Sequence, residues 1–383
     1  MRRHKMQLNR RTFLSYSLWA LAGAGASAFA QAEGKIVLGQ SAPFTGPSAE
    51  LGLRFSEGAQ LYFDAINAKG GVHGRQIELR KADDGYEPER TVANTRKFIA
   101  DGVLALFGYI GTPTTLAALP LATTAKVPLI APFTGAGGLR EPLSRYVFHV
   151  RASYDDETQA IVRHCASIGQ NTLAVFYQND AYGKAGLNGV TKALQQLGKA
   201  PVAVGTVERN SVDVAQAVSA IVATNPSAVV QISSYAASAA FIRAARAAGF
   251  TGKFYNVSFV GTQALSKTLG AEARGVVVSQ VMPFPFSHKT PIGSEYLTAI
   301  KAASKPGLVP NYSGMEGFVA AKILVEALQR AGRAPTPETL VNAFDSLQKF
   351  NLGGFAVDFS AQKHTGSQFV EMTILTDNGG VIH

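Results

Sequence analysis

At 383 residues the chain is too long for one ordinary hydrophobic core and is sized for two domains of roughly 150–200 residues each. An apolar content of 46% against 16% charged residues excludes a disordered chain. The net charge of +10 is concentrated at the start, where Arg2, Arg3, Lys5, Arg10 and Arg11 meet no acid in residues 1–30; the remaining 31 Lys/Arg against 26 Asp/Glu form no basic run, which excludes a nucleic-acid footprint.

Residues 1–30 read as an export signal. The basic start leads into NRRTFL, then the apolar LWALAGAGA, then the small-residue site Ala28-Phe29-Ala30, with a second site at Ala30-Gln31-Ala32. Arg10-Arg11 before Thr12-Phe13-Leu14 resembles a twin-arginine signal, which exports folded proteins. A short Gly/Ala-rich segment ending at a cleavage site favours a cleaved signal over a membrane anchor, and no Cys follows it to carry a lipid. The expectation is a soluble product released into a periplasm. Cys165 is the only cysteine, so no internal disulfide or Cys-based metal cage can form, and it reads as a buried apolar side chain on a helix.

From Lys35 short β-rich runs alternate with helical ones. KIVLGQ (35–40) is a strand and 55–71 a helix stopped by Gly70-Gly71. Strand RQIELRKADD (75–84), helix 88–102, strand VLALFGY (103–109), helix 112–126 and strand VPLIAP (127–132) follow. After residue 150 the rhythm restarts with helix 157–169, strand 171–178, helix 185–198, strand 201–208 and helix 212–226. Strand 228–233, helix 236–250, strand 253–259, helix 262–270 and strand 275–281 complete this block. The alternation implies α/β lobes, each a parallel sheet covered by helices, with every strand-to-helix turn along one edge. Ligands bind at such edges. Past residue 285 the chain turns helix-rich (291–304, 313–332, 336–348) and closes with strand-like 353–360 and 369–380.

Catalytic motifs are missing. After Gly111 the chain reads Thr-Pro-Thr-Thr rather than the Lys and hydroxyl residue of a nucleotide P-loop, and TGAGGLR (134–140) lacks the dinucleotide spacing. The seven histidines have no His or Cys partner at metal-ligand spacing, and no G-x-S-x-G elbow occurs. The acids Asp83-Asp84 close a strand, while Asp155-Asp156-Glu157 suit a helix N-terminus. The expectation is a protein without catalysis, cofactor or metal. Thr112-Pro113 suits a helix start. Thr112 there either caps its own helix or joins the N–H groups of Thr114 and Thr115 in holding a carboxylate.

The chain resembles the solute-binding proteins of ABC importers, of the leucine/isoleucine/valine-binding type, over roughly residues 34–380. The likeness is carried in order by IVLGQSAPFTGPSAELG, by GAQLYFDAINAKGGVHGRQIELRKADDGYEPERTVANTRKFIADG and by FGYIGTPTTLAALPLATTAKVPLIAPFTG. FYQNDAYG, IRAARAAG and ALSKTLGAEARGVVV extend it. The resemblance implies the type I periplasmic binding protein fold, two doubly wound Rossmann-like lobes joined by three hinge crossings that close on ligand. It implies a first lobe of residues 34–150 plus 284–350 and a second of 151–283 plus 354–383.

It also implies a site. Thr112 stands where the family places a hydroxyl on the ligand's α-carboxylate. Phe133 stands at a position giving a backbone contact to the same group. Gly135 falls where Thr is usual, with Thr134 supplying the displaced hydroxyl. Tyr182 and Tyr235 match aromatic walls of the second lobe, and Phe44 and Tyr154 are further aromatic candidates. The family's amino-acid binders hold the ligand ammonium with an acid at the position of Ser258. Either Asp156 or Glu157 replaces that acid, or the ligand has no ammonium, since a buried unpaired ammonium is costly. The implied function is a periplasmic component that delivers an amino acid or related apolar or aromatic carboxylate or amide to an inner-membrane ABC permease. It would act as a monomer and without nucleic acid. The alternative is a sensory clamshell presenting its ligand to a membrane receptor.

Overall fold

The computed structural model describes Met1 and residues 34–383. The export leader read over residues 1–30 lies, Met1 apart, outside the described residues. Among the described residues no helix is long and apolar enough to cross a membrane.

The first block forms β1 (Ile36–Ala42), α1 (Ala49–Asn67), β2 (Ile77–Asp83), α2 (Pro88–Ala100), β3 (Ala105–Phe107) and α3 (Thr112–Ala125). β4 (Leu129–Ile130) and β5 (Val147–Phe148) complete a parallel sheet in the order β2-β1-β3-β4-β5. Leu38, Phe107, Ile130 and Phe148 are fully buried in it, as strands covered by helices require. β5 pairs through two residues with β4 and is too short to show a period, so the sequence assigns no strand there.

The second block forms α4 (Tyr154–Ser167), β6 (Leu173–Gln178), α5 (Ala181–Gln195), β7 (Val204–Val207) and α6 (Ala215–Val222). It continues through β8 (Ala228–Ile232), α7 (Tyr235–Ala247), β9 (Lys253–Asn256), α8 (Thr262–Leu269) and β10 (Val277–Gln280). Its parallel strands lie in the order β7-β6-β8-β9-β10. This is the same second-first-third-fourth-fifth order as in the first sheet, so one α/β architecture is used twice.

The last hundred residues serve both sheets. Three helices come first, α9 (Pro291–Ala303), α10 (Tyr312–Ala331) and α11 (Pro337–Asp345). After a two-stranded ribbon of β11 (Phe350–Asn351) and β12 (Ala356–Val357), β13 (Glu371–Leu375) and β14 (Val381–Ile382) follow. β13 pairs antiparallel with β10, and β14 with β13, so the second sheet has seven strands and is not wholly parallel. α10 instead packs on α1 at glycines. A Cβ on Gly58 would stand 1.8 Å from the Gly314 carbonyl oxygen. The chain therefore returns to the first sheet's helix layer before ending on the second sheet.

The C-terminal ends of the two sets of parallel strands meet. The segments after β2 and β4 touch those after β6, β7 and β9, which is the strand edge where α/β folds bind ligands.

Candidate functional site

The turn after β3 is built by glycines at positive φ, Gly108 (φ 61) and Gly111 (φ 98). At Gly111 a Cβ would stand 2.2 Å from the Tyr86 ring, so only glycine lets that ring close over the turn. Gly111 is the N-cap and Thr112 the first helical residue, which corrects the capping alternative. The Thr112 hydroxyl is turned to Thr134, Oγ1 to Oγ1 2.6 Å, and both residues are fully buried. Thr114 and Thr115 stay outside this pair. Their hydroxyls bond back to the carbonyls of Ile110 (2.5 Å) and Gly111 (2.5 Å), and the Thr115 N–H donates to Gly111 at 3.1 Å within the helix.

The segment after β4 supplies the other half. The backbone contact expected of Phe133 is corrected, because its N–H donates to Tyr109 (2.8 Å) and its carbonyl accepts from Gly111 (3.2 Å). Phe133 contributes its ring instead. Thr134 Oγ1 also accepts from the Ala136 N–H at 3.2 Å. At Gly135 a Cβ would lie 2.6 Å from the Tyr154 nitrogen, while its carbonyl accepts that N–H at 2.7 Å. A Thr cannot stand there without displacing the chain crossing to α4.

Aromatic rings from both sheet edges close on these hydroxyls. Ring centroids lie 5.3 Å apart for Tyr154 and Tyr182, 4.5 Å for Tyr182 and Phe259, 5.6 Å for Phe133 and Phe259, and 6.0 Å for Tyr86 and Phe259. All five are buried, yet the Tyr154 and Tyr182 hydroxyls have no hydrogen-bond partner among the described residues. Burial, opposed by Arg151, pushes the Tyr154 phenol up to about 12, so it is neutral and can donate. Tyr182 opens α5, which Asp180 caps through the Tyr182 N–H at 2.9 Å. Tyr235 is not brought in; it opens α7, half-buried, and faces the Glu50 backbone. Phe44 is also elsewhere, in an outer groove between α1 and α9 with the Lys81 ammonium 6.0 Å from its ring centre.

Sequence reasoning missed Tyr86 and Phe259. The available signal was position, since each follows a strand whose neighbours carry site residues. Tyr86 also has φ 66, a left-handed conformation that bulky residues seldom hold. Its N–H bonds to Asp84 Oδ1 at 2.9 Å, and its hydroxyl accepts from Gln178 Nε2 at 3.3 Å across the cleft.

A charged cluster stands beside the rings. Arg151, 1% exposed, lies 4.4 Å over the Phe133 ring, donates from Nη2 to Ser258 Oγ, and has its Nε 3.3 Å from Glu316 Oε1. Ser258 N–H and Oγ donate to Glu157 at 2.7 and 3.0 Å, and Ser279 Oγ at 2.6 Å. Asp156 is excluded from this cluster because its Oδ2 accepts from Ser153 N–H (2.9 Å) and Oγ (2.6 Å) in a capping box for α4. Of the two acids weighed for the Ser258 position, Glu157 is therefore the one present. Burial pushes both Glu157 and Glu316 up, Glu316 to about 7, against the pull of Arg151. Nearby Arg140 straps the crossing, donating to the carbonyls of Arg151 and Ala152 at 3.2 Å each and to Thr365 Oγ1 at 3.1 Å.

A polar groove of about 800 Å³ runs along one flank, from Thr112 and Arg140 across to Ser153 and Lys184. Together the elements offer a hydroxyl pair, an aromatic enclosure and a buried guanidinium between two sheet edges. That arrangement can grip a small acid.

A solved substrate-binding periplasmic protein from Ralstonia solanacearum is 33% identical, with a TM-score of 0.86 over 91% of this chain and 99% of its own. A possible leucine/isoleucine/valine-binding protein from Rhodopirellula baltica is 31% identical, with a TM-score of 0.85 over 92% and 96%. The leucine-, isoleucine-, valine-, threonine- and alanine-binding protein of Pseudomonas aeruginosa is 23% identical over 86% of this chain and 87% of its own. The family profile described as periplasmic binding protein matches residues 35–379, and the chain belongs to that family.

Proposed function

We propose that this protein is the periplasmic substrate-binding component of an ABC importer. It closes on an amino acid or a related small carboxylate or amide and hands it to an inner-membrane permease without transforming it. Residues 1–30 act as its cleaved export signal. The working unit is a monomer of two lobes, 34–150 with 284–350 and 151–283 with 354–383. α10 packed on α1 and β13 paired with β10 support that division.

The observation that carries the reading is the Thr112–Thr134 hydroxyl pair, 2.6 Å apart, buried and roofed by rings from both sheet edges. One hydroxyl of the pair donates to the other, which leaves the second O–H free to donate to a carboxylate. Such a bond to a charged acceptor contributes about 1.5–3 kcal/mol when water is excluded. Closing the lobes supplies that exclusion. The relatives named for amino-acid binding support a small acid as the ligand class.

Calorimetry and thermal shift against a panel of amino acids, aromatic acids and amides test this. At least one acid is expected to bind, and Thr112→Ala is expected to weaken it roughly 10- to 100-fold. A fully folded T112A protein with unchanged affinity would remove Thr112 from the ligand's carboxylate.

A further inference from the structure

The second polar pole of the site narrows the ligand class, and this step rests on the reading that the protein grips a small carboxylate. Four buried side chains in the lining carry polar atoms without a hydrogen-bond partner among the described residues, namely Arg151, whose Nη1 is wholly free, and the Tyr154, Tyr182 and Tyr312 hydroxyls. The direction of the bonds around Ser258 fixes what they can receive. Arg151 Nη2 donates to Ser258 Oγ, and that hydroxyl gives its own proton to Glu157 Oε1 at 3.0 Å. Glu157 Oε2 is taken by the Ser258 N–H (2.7 Å) and Ser279 Oγ (2.6 Å). Three of the four acceptor sites of Glu157 are thus taken by the protein, and Ser258 has already donated and accepted.

An ammonium brings three donors, a positive charge and no acceptor. At Ser258 it would meet the Arg151 guanidinium, a like charge offering more donors, and the one carboxylate bounding the space there, Glu316, already faces Arg151 Nε at 3.3 Å. An acceptor oxygen would meet a free N–H instead. A void of about 10 Å³ at this point is bounded by Phe133, Arg151, Ser258, Tyr312 and Glu316. The Phe133 ring, 4.4 Å from the guanidinium carbon, keeps the fork in place.

We propose that the ligand presents a hydrogen-bond acceptor, not an ammonium, to Arg151. It is a carboxylate that carries a second acceptor oxygen, of the α-oxo acid or dicarboxylate class. Glu157 and Glu316 offset the charge of Arg151 without using its Nη1, so the free donor persists in the closed site.

Matched pairs test this on the mature protein by calorimetry: leucine with its α-oxo acid, phenylalanine with phenylpyruvate, and glutamate with α-ketoglutarate, with succinate as a dicarboxylate lacking the oxo group. An oxo acid is expected to bind about 100-fold more tightly than its amino acid, the size of a like-charge juxtaposition in a dry site. Succinate binding as tightly as α-ketoglutarate assigns the Arg151 oxygen to a second carboxylate, and weaker succinate binding assigns it to a carbonyl; both keep the proposal. Arg151→Lys keeps the charge and the fold but loses the planar fork. It is expected to weaken the oxo acid about tenfold and to shrink the preference over the amino acid. An amino acid that binds as tightly as its oxo acid overturns the inference and leaves the carboxylate grip standing. No binding by any member overturns the grip and the inference together. An R151K protein with unchanged preference removes Arg151 from the choice.

Discussion

Two buried carboxylates flank Arg151, Glu316 on α10 directly and Glu157 on α4 through the Ser258 hydroxyl, and the two differ in support. Glu157 receives three protein hydrogen bonds, whereas Glu316 has the Arg151 Nε at 3.3 Å. Burial pushes Glu316 up to about 7 from its usual 4.5; Arg151 opposes the rise and Glu157 adds to it. A carboxyl that holds its proton more tightly when folded stabilises the fold fully below about 4.5 and loses that contribution as pH rises through about 7. The gap corresponds to roughly 3 kcal/mol. The melting temperature is expected to fall as pH is raised from about 5 to about 8, and Glu316→Gln to flatten that slope. Equal slopes in the two proteins would show that another group titrates. Part of this cluster was legible at the level of single residues. Ser153 followed three positions later by Asp156 is a capping-box spacing, which already commits Asp156 and leaves Glu157 free on another face of the helix. Glu316 was not legible. It lies in an apolar helix 165 positions from Arg151, and nothing local links the two.

Glycines make the contact between α1 and α10. The sequence pattern places the start of α1 at residue 55, yet the helix starts at Ala49 and includes Gly52. A Cβ on Gly52 would stand 2.2 Å from the Pro43 carbonyl oxygen, so the residue is small for packing and not for turning. The same holds for Gly317, whose Cβ would stand 2.0 Å from the Phe55 carbonyl oxygen. Two effects of opposite sign meet there. Helix propensity alone makes Gly→Ala in a helix favourable by about 1 kcal/mol. Overpacking against a backbone carbonyl, which cannot swing aside, costs about 1–3 kcal/mol or more. Packing wins, and Gly317→Ala is expected to destabilise the protein by about 2 kcal/mol, lowering the melting temperature by roughly 4–8 °C. A rise in melting temperature would mean that the two helices can slide apart at little cost. The periodic elements themselves were readable because each carries its own pattern. Helix-to-helix contact through glycine has no periodic signature, because its content is the absence of a side chain.

At the scale of the whole molecule, the two-block α/β architecture follows from alternation, and right-handed crossovers place the strand-to-helix turns of each sheet along one edge. What joins the blocks at the cleft mouth is a set of contacts between residues more than a hundred positions apart. Arg209, after β7, reaches Glu87, after β2, at 2.9 Å, and is steadied within its own block by Asp180 at 3.5 Å. Asn210, at φ 60, donates to the Gly85 carbonyl (3.1 Å) and to Glu87 Oε1 (2.8 Å). The bonds to Gly85 and Glu87 span the two sheet edges and part if the lobes open, whereas Arg209–Asp180 stays within the second block and holds the Arg209 side chain at the mouth. Their groups are partly exposed, and screening limits them to about 1 kcal/mol together. That is enough to shift a balanced opening equilibrium about fivefold. The double variant Arg209→Ala/Asn210→Ala touches neither the hydroxyl pair nor Arg151. It is expected to weaken ligand binding about fivefold through faster dissociation, with the association rate little changed, and to raise the radius of gyration of the ligand-free protein in solution scattering. An unchanged dissociation rate would mean that the rings and the guanidinium close the lobes without help from the mouth. A slower association rate would instead assign Arg209 to drawing an anionic ligand in, since its charge stands at the entrance and would act before closure.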